Sequence, residues 1–154
     1  MANIVNKVRL SDGPKKAMFQ FYFESDGNEG ELKNFVLLDP SSVGPDNIPG
    51  YDFVEPWDKS GYVNSLTVVP PPRMTILQLW SSASWFDITL SYDGTIPLPS
   101  LVVARDCDFY LDFRYFGGVK DRQQDQPTGK LMISTKDFAP LGSNGFLVLE
   151  VKKD

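Results

Sequence analysis

Ala17-Met18-Phe19-Gln20-Phe21-Tyr22-Phe23-Glu24 is the stretch from which the fold can be read. Phenylalanine recurs at positions 19, 21 and 23, while Met18, Gln20, Tyr22 and Glu24 take the alternate places. A period of two puts the three rings on one face of an extended chain, so the segment reads as a strand with one buried side. Ser25-Asp26-Gly27-Asn28-Glu29-Gly30 follows as a run of turn formers, and an apolar strand resumes over 32–38. That succession predicts a hairpin.

Outward from this segment the same rhythm returns. Strands are expected over 73–80, 86–92, 98–104, 108–113, 130–135 and 146–151, with Asp93-Gly94 a strong turn signal after the second of these. Residues 4–10 form either a terminal strand or an N-terminal arm. Between 39 and 72 the pattern breaks. Pro40, Pro45, Pro49, Pro56 and Pro70-Pro71-Pro72 forbid a long regular element, yet Tyr51, Phe53, Trp57 and Tyr62 are too aromatic for a flexible linker. The stretch reads as a packed loop excursion with a short strand at 65–69. No helix, repeat or domain boundary is evident. With 154 residues and 42% hydrophobic content, the chain is expected to be a single all-β domain. Its architecture is expected to be a jelly-roll-like β-sandwich of about eight short antiparallel strands. An immunoglobulin-like arrangement is disfavoured because its Cys…Trp…Cys signature is absent.

Composition subtracts several functions. Twenty acidic residues against 15 basic ones give a net charge of -5, which repels polyphosphate and argues against a nucleic-acid partner. No histidine is present, so the commonest general base and the commonest metal ligand are both missing. The single cysteine, Cys107, has no partner within the chain, and its neighbours Asp106 and Asp108 oppose thiolate formation. No stretch approaches the roughly 20 apolar residues of a membrane-spanning helix. The first ten residues lack a signal-peptide apolar core, so synthesis in the cytoplasm is expected.

Carboxylate-pair hydrolysis survives the loss of histidine. However, Asp26, Asp39, Asp46, Asp58, Asp93 and Asp125 all sit in turn-like contexts, and no two stand out as a pair. Asp26 to Glu31 starts like a calcium loop, but Leu37 occupies the twelfth position, where such loops need an acid, so a turn is the better reading. No catalytic residue, cofactor or metal is therefore assigned. Trp80 shares a strand face with Met74, Ile76 and Gln78 on strict alternation, which predicts core packing. The surface aromatics are expected elsewhere, at Trp57 and Trp85.

The second half carries a family likeness. Phe86-Asp87-Ile88-Thr89-Leu90-Ser91-Tyr92-Asp93-Gly94-Thr95 is followed by Leu111-Asp112-Phe113-Arg114-Tyr115-Phe116-Gly117-Gly118-Val119-Lys120. Thr128-Gly129-Lys130-Leu131-Met132-Ile133-Ser134-Thr135 and Phe146-Leu147-Val148-Leu149-Glu150-Val151 come next. In this order, over roughly residues 84–151, the chain resembles small head decoration (cement) proteins of tailed bacteriophages. The resemblance implies a jelly-roll-like protein on the capsid exterior, often trimeric, bracing the major capsid protein without catalysis. It implies no nucleic acid or membrane partner. Ile4, Val5 and Val8 of the terminal segment, Tyr51, Phe53, Trp57 and Tyr62 of the excursion, and Trp85 are the candidate partner contacts. The alternative function is a carbohydrate- or protein-binding β-sandwich module of a phage tail or base plate, and a small carboxylate hydrolase ranks third.

Overall fold

The three phenylalanines of 17–24 end side by side in the centre of the molecule, fully buried, with neighbouring ring centroids 6.4 Å apart. The structure, a computed structural model, describes residues 3–45, 47, 50–55, 72–83, 86–103, 108–138 and 140–153. These contain β1 (Ile4–Asp12), β2 (Lys16–Glu24), β3 (Phe35–Leu38), β4 (Met74–Ala83) and β5 (Asp87–Tyr92). They continue with β6 (Leu98–Val103), β7 (Asp108–Asp112), β8 (Val119–Lys120), β9 (Leu131–Lys136) and β10 (Asn144–Lys153). Among the described residues the one helical piece is a 3-10 turn over Arg114–Phe116.

Two antiparallel sheets result. One runs β1-β2-β10-β4-β7 with β8 also on β4; the other runs β3-β9-β5-β6. The protein is an all-β sandwich, as its alternation predicts. Its pairing is nested: β2 takes β10, β3 takes β9, β4 takes β7 and β5 takes β6. β10 on β4 and β9 on β5 then close the two sheets. One apolar core joins both, with Phe21, Leu79 and Leu147 from the first sheet and Ile88, Leu90 and Ile133 from the second.

The expected hairpin between 17–24 and 32–38 does not form. β2 already has β1 on one side and β10 on the other, so no edge is left for β3, which crosses to the opposite sheet and pairs β9. The intervening residues fold as a compact crossover. Asp26 Oδ1 accepts the N–H groups of Asn28 and Glu29, both at 2.8 Å, and Glu31 accepts from the Thr135 hydroxyl and the Phe138 N–H. The Asp26 carboxylate thus serves a backbone turn, and those N–H donors hold its pKa below the ordinary carboxylate value.

Residues 4–10 are a strand, not an arm: β1 pairs β2 from Ile4 to Asp12 at the sheet edge. The described part of the excursion packs against it: Asp12 Oδ2 accepts the N–H groups of Val54 and Glu55. Phe53 is fully buried, its ring edge-on to Phe19 at 5.3 Å. Lys7 pairs with Asp52 and donates to Leu37 O, and Arg9 donates to Tyr51 O. At the far end Lys153 is buried with Asp12, 2.6 Å apart, and also donates to Gly13 O and Glu55 O. The first strand, the last strand and the excursion are thereby tied together. The strand expected at 65–69 lies outside the described residues.

Candidate functional site

β7 ends at Asp112, and the edge strand does not run straight on into β8. Residues 113–118 bulge out as a tight turn. Phe113 N–H donates to Leu77 O at 2.9 Å, and the N–H groups of Phe116 and Gly118 return to Phe113 O at 3.0 and 2.9 Å. Gly118, at φ +85°, brings the chain back against β4; a Cβ there would collide with Thr75 and stand 2.8 Å from Ile76 O. Outside, Arg114 Nε and Nη2 grip the two oxygens of Asp112 at 2.9 and 2.8 Å. The guanidinium, through those bonds and its charge, holds the Asp112 pKa down at about 2, and Arg114 is raised in return.

This braced turn carries Tyr115 and Phe116 at its tip, 91% and 86% exposed. Adjacent aromatic rings so fully in water are unusual, because large rings are normally buried over much of their area. The turn is therefore a rigid apolar projection.

A second exposed apolar area is the outer face of the larger sheet. The strict alternation that predicts a core position for Trp80 is broken by a β-bulge: Glu150 pairs Gln78 but Val151 pairs Ile76, leaving Leu77 extra. The bulge shifts parity, so Met74 and Ile76 enter the core, as do Leu79 and Ala83, whereas Gln78, Trp80 and Ser82 lie on the outer side. Trp80 is half-buried and stacks on Tyr110 of β7, with centroids 4.9 Å apart. Phe146 and Tyr22, both exposed, lie on the same face. Partial burial and the bond to Glu24 raise the Tyr22 pKa.

The contact candidates named above separate. Ile4 and Val8 point outward from β1, 44% and 53% exposed, while Val5 leans against the core. Tyr51 is exposed, its ring over Gly44. Phe53 is corrected to a core residue: it is fully buried, with its ring edge-on to Phe19 of β2 and under the Lys153 ammonium of β10. Trp57, Tyr62 and Trp85 lie outside the described residues. Alternation did not single out Tyr115 and Phe116, which lie between strands and next to Gly117-Gly118. Tyr110 and Phe146, by contrast, sit at outward positions of their strands.

Among the described residues, no group of three or more His, Cys, Asp or Glu converges in a way that could hold a metal ion. Two of the described turn acids act as acceptors, Asp39 for the Ser41 N–H and Asp93 for the Thr128 hydroxyl at 2.7 Å. No helix among the described residues is long and apolar enough to cross a membrane. A scan of protein-family models and searches of curated proteins and of solved structures returned no match.

Proposed function

We propose that this chain is a non-enzymatic structural protein of a tailed-phage virion, seated on the outer surface of the capsid as a homotrimer. Its partner in this reading is the major capsid protein. The observation that carries it is the 113–118 turn, where Tyr115 and Phe116 stand in solvent on a backbone fixed by hydrogen bonds and the Asp112–Arg114 pair. Aromatic anchors of this kind dominate protein interfaces, and a turn ordered in advance loses little entropy on docking. The turn falls within the Leu111–Lys120 block of the resemblance to decoration proteins. The nested pairing of β2 with β10, β3 with β9, β4 with β7 and β5 with β6 supports the jelly-roll-like architecture that the resemblance implies. The acidic charge of -5 suits the outside of a shell better than a lining facing packaged DNA. Modest contacts repeated over a symmetric lattice add up to stable attachment.

The test is co-sedimentation of the purified protein with expanded capsids, followed by their heat resistance. Binding and a raised rupture temperature are expected, and the double variant Tyr115→Ala/Phe116→Ala should lose both. A protein that neither binds shells nor protects them rules the reading out.

A further inference from the structure

The outer face of the larger sheet contains a built depression with its own chemistry. On one cross-strand row Phe146, Ser82 and Asp108 are neighbours; on the next row along, Val148, Trp80 and Tyr110 are. Ser82 is the small residue among large ones. Above it opens a shallow pocket of about 390 Å³, lined by Trp80, Ser82, Tyr110, Phe146 and Asp108, with Ser81 beneath. That size falls in the roughly 300–1,000 Å³ range of small-molecule sites.

Its walls and floor differ in character. Phe146 bounds one side and the Trp80–Tyr110 stack another, so the walls are aromatic. The floor is polar, with the Ser82 hydroxyl donating to Asp108 Oδ1 at 2.5 Å. The Tyr110 ring is fixed in place, because its hydroxyl donates to Gln78 Oε1 while Gln78 Nε2 donates to Glu150 Oε1 at 3.0 Å. A ligand matching this pocket must offer a flat apolar C–H surface to the rings and hydroxyl donors to a carboxylate. A pyranose ring offers both.

Charge narrows the class. Asp108 lines the pocket itself, and Glu24 and Glu150 lie on the same face. The lysines of that face, Lys16 and Lys152, sit at the opposite end of β2 and β10, and Arg114 is engaged by Asp112. Anionic sugars such as sialic or uronic acids would be repelled. We infer that the Trp80–Ser82–Tyr110–Asp108–Phe146 pocket binds neutral pyranoside units of a glycan. The inference is independent of capsid attachment, which rests on a different part of the surface.

The experiment is an NMR titration of the intact protein with neutral hexasaccharides: β-1,4-glucan, α-1,4-glucan and β-1,4-linked N-acetylglucosamine. Sialyllactose is the anionic control. At least one neutral sugar should give saturable shifts at the Trp80 indole N–H and the Ser82 and Tyr110 amides, with a Kd below about 1 mM. Ser82→Phe, which fills the pocket, should abolish these shifts, and Tyr110→Ala should weaken binding about tenfold. Either variant suffices if the other does not fold. Tyr115→Ala/Phe116→Ala should leave sugar binding unchanged, so failure here and failure of the capsid reading are distinguishable. Absence of shifts with all three neutral sugars overturns the inference. So does stronger binding of sialyllactose, or binding that survives whichever pocket variant folds.

Discussion

The Asp112 carboxylate gives the sharpest expectation for a single residue. Its pKa in the folded protein is about 2, held down by Arg114, against about 3.9 in an unfolded chain. A carboxylate lowered on folding contributes stability that is complete above the unfolded value and disappears as pH falls through the folded one. The brace should therefore be intact above about pH 5 and fade between about pH 4 and 2. A carboxyl-carbon NMR titration should place the Asp112 midpoint near pH 2, and Arg114→Ala should move it up toward the unfolded value. An unchanged midpoint in that variant would mean that the pair does not set it. Lys153 is a different case, because its ion pair with Asp12 is buried on both sides. Lys153→Ala strands the Asp12 charge in the interior and should cost about 3–5 kcal/mol in chemical denaturation. A loss below about 1 kcal/mol would place the pair among surface bridges.

At the level of elements, the bulge of β4 and the turn after β7 decide what the protein displays. Gly118 lets the turn close against Thr75 and Ile76 with positive φ. Gly118→Ala should lower the melting temperature and speed amide exchange at 113–118 more than at β2, whereas Gly30→Ala, at a positive φ but with open space, should do less. These elements also mark where the sequence could be read and where it could not. The Phe19-Phe21-Phe23 alternation revealed β2 because every second side chain is buried, and seven of the other strands were placed by the same signal. Trp80 was misassigned since a bulge adds one residue without any local mark in the composition, and everything beyond it changes face. The false hairpin had a related cause. Turn residues at 25–30 show that the chain reverses, but not that β2 has both edges already taken by β1 and β10, which come from the two ends of the chain. Phe53 gave the same difficulty: it was legible as aromatic, but its burial depends on Phe19 of β2 and Lys153 of β10, which are far from it in the chain.

At the scale of the whole molecule, the proposed role asks the sandwich to present surfaces and not to move protons. The chain has no histidine, the side chain whose ordinary pKa lies nearest neutrality. Thermal stability and shell binding should both stay flat between about pH 5.5 and 7. A midpoint near pH 6.5 in either would contradict this expectation. The two proposals use different exposed regions, the 113–118 turn for docking on protein and the outer sheet face for sugar. Docking is the central claim, and it is tested most directly by cryo-electron microscopy of expanded shells incubated with the protein. The account predicts ordered density on the outer shell surface, with Tyr115 and Phe116 buried against the major capsid protein. Bare shells, or bound protein with that turn facing solvent, would contradict it.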